Sequence, residues 1–117
     1  MAKHLESGSF GEALAVQYLK RLGYEILFQN WRFKRLEIDI IAKERGILVF
    51  VEVKSRKSDH YGLPYEFVDH AKEQRLIRAA EAFLADYSYE GDIRFDIVSV
   101  YLSTQKVELI RDAFWSN

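Results

Sequence analysis

The chain has 117 residues, 49% of them apolar and 30% charged, which describes one globular domain and not a disordered segment. It carries no cysteine, so disulfide scaffolds, thiolate metal sites and thiol nucleophiles are excluded, and no apolar run nears the roughly eighteen residues that a spanning helix needs. The net charge of −1 argues against a protein that coats nucleic acid by bulk charge; with no apolar leader in MAKHLESGSFGE, a cytoplasmic protein off the membrane is expected.

The first predicted helix runs from Ser9 to Leu22, with Phe10, Ala13, Leu14, Tyr18 and Leu22 on one stripe. Ser9 and Glu12 form a capping-box pattern, with Ser7 an equal alternative as cap, and Gly23 is a natural stop. Three extended segments follow: Tyr24 to Trp31, Leu36 to Ala42 and Ile47 to Ser55. Glu44-Arg45-Gly46 reads as a hairpin connection, which makes the last two antiparallel neighbours. Residues 56–68, with Asp59, Gly62 and Pro64, read as loop. A second helix is expected from Asp69, its cap, to Tyr87, burying Leu76, Ala79, Ala80, Phe83 and Leu84. Arg94 to Leu102 alternates as a strand, with Arg94 and Asp96 a structural pair, and Lys106 to Ile110 is placed beside it. The order α-β-β-β-α-β-β predicts an α/β or α+β domain with a mixed central sheet flanked by helices.

The charge is unevenly spread. Residues 31–57 carry eight bases and four acids, whereas 58–117 carry six and eleven. A positive centre of this kind suits a phosphate backbone, or is simply a solvated face.

The acids of the central strands are more informative. Strand side chains repeat every two residues, so Glu37 and Asp39 share one face and Ile38 and Ile40 the other. Glu52 and Lys54 share a face where the buried run ILVFV ends. Acids at such positions need a partner or a cation, because an unpaired buried charge is costly. Across the hairpin, Asp39 and Glu52 can approach one hard cation. Two carboxylates, a main-chain carbonyl and water make the incomplete oxygen shell that Mg²⁺ takes when it also binds phosphate. Lys54 then points at the same spot, able to orient an attacking water or neutralise developing charge. Glu12 flanks the helical stripe and can face this cluster. The ordinary alternative is an exposed strand end at Glu52 and Lys54, with Asp39 paired to Arg32 or Lys34. His4, His60 and His70 have no ligand spacing.

Basic groups bracket these acids: Arg32, Lys34 and Arg35 before them, Lys54, Arg56 and Lys57 after. On one sheet edge they would steer phosphates; otherwise they are solvated loop charges. Lys72 and Arg75 lie three apart on the second helix, either as phosphate contacts or as ion-pair partners of Glu73 and Glu81. Trp31 and Tyr61 are base-stacking candidates, with partial burial the commoner fate of such aromatics.

Gly11-Glu12 on a helix, Asn30-Trp31-Arg32, Glu37-Ile38-Asp39, the run VFVEVKSR from Val49 to Arg56, Gly62-x-Pro64 and Arg94-Phe95-Asp96 together resemble the YraN family of small bacterial proteins. The likeness runs from about Phe10 to Val100, with Leu36 a departure where that family usually has glycine. The family is similar to the restriction-endonuclease-like, or PD-(D/E)xK, superfamily, and most nearly to Holliday junction resolvases. That resemblance implies a single nuclease-like domain over residues 1–117. It implies Asp39 as the acid of the second strand, Glu52 and Lys54 as the E-x-K pair, and Glu12 as the helical acid. Val53 then lends its carbonyl to Mg²⁺ or Mn²⁺, and Lys72 or Gln74 is an extra polar residue of the second helix. The implied function is a metal-dependent endonuclease that hydrolyses DNA phosphodiesters, with branched or Holliday-junction DNA as substrate. Two cuts on a symmetric junction call for a homodimer. The alternative is a catalytically inactive nucleic-acid-binding or protein-interaction module on the same fold.

Overall fold

The computed structural model describes residues 2–57 and 70–115, with side chains described from Ser9 onward. Its elements are α1 (Ala2–Arg21), β1 (Glu25–Phe33), β2 (Leu36–Glu44), β3 (Ile47–Arg56), α2 (His70–Asp86), β4 (Ile93–Tyr101) and β5 (Lys106–Phe114). This is the predicted α-β-β-β-α-β-β order. The strands form one sheet in sequence order, antiparallel except for the parallel pair β3–β4, whose connection passes through α2. Asp59, His60, Tyr61, Gly62, Pro64 and Asp69 lie outside the described residues.

Local chemistry sets the boundaries. Gly23 ends α1 at φ +98°, with Tyr24 N donating to Leu19 O and Gly23 N to Lys20 O at 3.0 Å each, the paired bonds of a Schellman cap. Arg45 and Gly46 both take positive φ, +53° and +80°, as a tight two-residue hairpin between right-twisted strands requires. The β2–β3 hairpin is therefore antiparallel, as the sequence predicts.

Two expectations for α1 need correction. The helix begins at Ala2, so Ser9 and Ser7 lie inside it and neither is a cap. The buried stripe is also displaced: Phe10 and Leu22 are exposed, and Ala15, Val16 and Leu19 enter the core. Gly11 is the reason. A methyl group there would stand 2.0 Å from Ser55 Oγ, so the helix approaches β3 along the line of its glycine.

Each face of the sheet has its own core. Under α1 lie Ala15, Leu19, Ile40, Val49, Val51 and Val98. Under α2 lie Ile38, Ile41, Phe50, Leu76, Phe83 and Phe95. Strand β3 feeds both, which explains its unbroken apolar run. On its α2 face Leu48 and Phe50 are followed at the same period by Glu52 and Lys54, so these two groups emerge beside α2.

Candidate functional site

The strands β2 and β3 separate at the carboxylates. Their ladder runs from Glu44↔Ile47 to Ile40↔Val51 and stops there, although β3 stays paired with β4 as far as Arg56↔Tyr101. In the gap, Val53 N donates to Asp39 Oδ2 at 2.8 Å, so a side chain takes the place of a strand carbonyl. The expectation that Ile38 and Ile40 share a face is overturned: Ile38 packs under α2 and Ile40 under α1. Alternation presupposes an unbroken pleat, and here the strand rotates at Asp39, turning that carboxylate towards β3.

Asp39 therefore senses acids from both layers. Its pKa is pushed up from 3.8 to about 7, mostly by burial and next by the Glu52 carboxylate, with Glu12 and Glu37 adding to the rise and the Val53 N–H opposing it. Glu52 is raised too, by burial first, while Lys54, Lys72 and Arg75 hold it down. Glu12 reaches the cluster from α1. Burial raises its pKa, a hydrogen bond from the Asn30 side chain lowers it, and Glu37 raises it again. Its other oxygen, Oε2, is buried without a hydrogen-bond partner. Asn30 is held at φ +54°, a left-handed conformation that asparagine tolerates better than most residues.

Lys54 is only 7% exposed. Its amine is brought down from 10.5 to about 8 by burial first, then by the adjoining Lys72 and by Arg56, against the pull of Glu52. A cavity of about 210 Å³ opens beside the cluster, lined by Arg35, Leu36, Glu37, Glu52, Lys72 and Arg75. Lys72 and Arg75 thus line the same cavity as Glu37 and Glu52 and lower the pKa of Glu52. Arg32 lies across β1 and β2 from Glu37, at 3.4 Å on the exposed surface, and does not pair with Asp39. Lys57 is exposed beyond β3, its carbonyl accepting from Ser103 N. Trp31 packs edge-on against Phe83. His70 is exposed and 3.9 Å from Glu73.

The structure thus brings together Asp39, Glu52, Lys54 and, from α1, Glu12, with Lys72, Arg75 and Arg56 as their cationic neighbours. Among the described residues no three His, Asp or Glu side chains form a ready-built metal cage. The side chains that could offer oxygen to a hard divalent cation are carboxylates, crowded enough to resist ionising together and with one buried oxygen unsatisfied.

A second charged cluster, only half visible in the sequence, lies at the opposite end of β3. Arg94 donates to Asp96 at 2.8 and 2.9 Å and to Glu44 at 2.6 Å, and Tyr24 OH donates to Asp96 at 2.7 Å. Arg111 closes on Glu44 at 2.7 Å. The Arg-x-Asp alternation betrays one pair; Glu44 and Arg111 come from other strands and Tyr24 from the α1–β1 turn, and they leave no local signal. Every member is satisfied, and the cluster is structural.

The fold and the gap between β2 and β3 define an α/β protein with a five-stranded mixed sheet, two helices and an order compatible with a nuclease-like core. The model of the Uncharacterised protein family UPF0102 matches residues 11–100, and the chain belongs to that family, the YraN family of the motif resemblance. It is 45% identical over 117 residues to a UPF0102 protein of Flavobacterium psychrophilum, covering 98% of both chains. A UPF0102 protein of Chlorobium chlorochromatii is 45% identical over 118 residues, covering 94% of this chain and 92% of the relative. No helix among the described residues is long and apolar enough to cross a membrane.

Proposed function

We propose that this protein is a divalent-metal-dependent endonuclease that hydrolyses DNA phosphodiesters, with branched or flapped DNA as substrate. The observation that supports it best is the bond from Val53 N to Asp39, which fixes one carboxylate in a strand gap beside Glu52 and Lys54. A purely structural acid would have a basic partner there. Asp39 has carboxylates around it instead.

Asp39 and Glu52 would hold Mg²⁺ or Mn²⁺, with Glu12 Oε2 and the Val53 carbonyl as further oxygen donors. Such an ion, when bound, supplies Lewis acidity and lowers the pKa of water. Lys54, its amine near pH 8, is suited to orient the attacking water and to exchange a proton at Nζ. Its burial keeps that amine in one place. Lys72, Arg75, Arg56, Lys57 and Arg32 hold backbone phosphates on either side, and a homodimer would present two such sites to a symmetric junction.

The test is cleavage of labelled flap, fork and four-way-junction DNA by purified protein with Mn²⁺. Cutting that EDTA stops is the expected result. Wild type that cuts none of these structures with any divalent ion, while still binding them, would establish the non-catalytic module instead.

A further inference from the structure

Beside the acids the β1–β2 hairpin carries an aromatic surface that the cleavage chemistry does not use. Phe33 and Leu36 are paired residues and so share a face, and Leu36 lines the cavity that contains Glu52, Lys72 and Arg75. Trp31, two residues before Phe33, shares that face. Its ring is anchored against Phe83, centroids 5.4 Å apart at 88°. Phe33 lies nearly parallel to it, centroids 6.3 Å apart at 13°, yet remains 42% exposed. The hairpin thus packs one partly buried ring against the core and presents a second, nearly parallel, to solvent. Lys34 Nζ stands 5.3 Å from the Phe33 ring, and Arg35 follows at the cavity's rim.

An exposed ring with Lys34 over it and a charged cavity alongside is a poor protein-docking patch, because the centres of such interfaces are depleted in charge. It suits an anionic polymer whose units carry flat apolar faces. Bases within a duplex already hide those faces against one another. We infer that the hairpin is a stacking shelf for unpaired bases of DNA, with Phe33 taking a base while Arg35, Lys72 and Arg75 take the adjoining phosphate in the cavity. This rests on the endonuclease reading only for its purpose: the substrate would carry a single-stranded stretch beside the scissile bond. A cavity of about 210 Å³ is of the size to take a sugar–phosphate unit.

Fluorescence anisotropy in EDTA tests this without any cleavage, using labelled oligo-dT and oligo-rU, an abasic strand of equal length and a blunt duplex. Wild type should bind oligo-dT more tightly than the abasic strand or the duplex. Phe33→Leu should weaken oligo-dT binding about tenfold, leave the abasic strand unaffected, and be rescued by Phe33→Trp. A Trp115→Phe chain leaves Trp31 as its one tryptophan, and oligo-dT, not the abasic strand, should change its emission; this readout needs no change at Phe33. Equal affinity for oligo-dT and duplex, tighter binding of oligo-rU, or a Phe33→Leu chain that holds oligo-dT as wild type does would overturn the inference. Because metal is absent, loss of this preference leaves the cleavage reading standing, and a wild type that cuts nothing leaves the shelf standing.

Discussion

Replacing Asp39 by asparagine is expected to lower metal-dependent cleavage by more than about a hundredfold and, in the same chain, to raise metal-free stability above pH 7 by up to about 4 kcal/mol. The two effects have one origin. Asp39 is buried in a gap between strands, and that burial first, then the Glu52, Glu12 and Glu37 carboxylates, raises its pKa from 3.8 to about 7. The folded protein therefore holds that proton more tightly than the unfolded chain does. Its stabilising effect is complete below about pH 4 and is lost as the pH climbs through 7. Asparagine does not titrate, and its oxygen can still accept from Val53 N, so the variant escapes that loss. Urea unfolding of both chains in EDTA at pH 4, 6 and 8 is the measurement. Wild type should weaken relative to Asp39→Asn across this range. Parallel profiles would mean that Asp39 carries no such strain, and that nothing at the gap calls for a cation.

A change at the far end of β3 should do the reverse, harming the fold and sparing the chemistry. Arg94→Met is expected to cost about 3–5 kcal/mol. That is a large part of the roughly 5–15 kcal/mol by which domains are stable. Arg94 is bonded to Asp96, which is fully buried, and to Glu44, 6% exposed, and methionine leaves both charges short of a partner. Asp96 keeps Tyr24 OH at 2.7 Å and Asp112 N at 3.0 Å, and Glu44 keeps Arg111, so the loss is heavy but not total. Glu44 also links stability to acid pH. Arg111 first, and Arg94 after it, hold its pKa down from 4.5 to about 2. That contribution is complete above about pH 4.5 and disappears as the pH falls through 2. Denaturant unfolding at pH 7 checks the size of the effect, and a loss below about 1 kcal/mol would show the cluster to be replaceable.

Strand β3 was readable because its apolar run faces two cores, and the E-x-K step marks where it leaves them. Arg45-Gly46 was readable because a two-residue hairpin demands residues that accept positive φ. The stripe of α1 was misplaced for a physical reason: the helix meets Ser55 of the sheet at Gly11, which has no side chain for a periodicity to register. The parity of Ile38 and Ile40 was misassigned because β2 pairs with β3 only from Ile40 onward, and pattern alone cannot show where a ladder breaks. For the candidate site, the types and spacing of Asp39, Glu52 and Lys54 were legible. The Asn30 bond to Glu12, the approach of Lys72 to Lys54 and the salt bridges around Glu44 were not. Each joins segments far apart in the chain, and only the packed sheet sets their distances.

Calorimetric titration of Mn²⁺ into wild type and into Glu52→Gln tests the shared-cation claim most directly. Wild type should take up about one ion per chain, and the amide variant should bind at least about tenfold more weakly, since it keeps the shape of the site but loses one of its two central charges. Absence of binding to wild type, or equal affinity in both chains, would contradict the account.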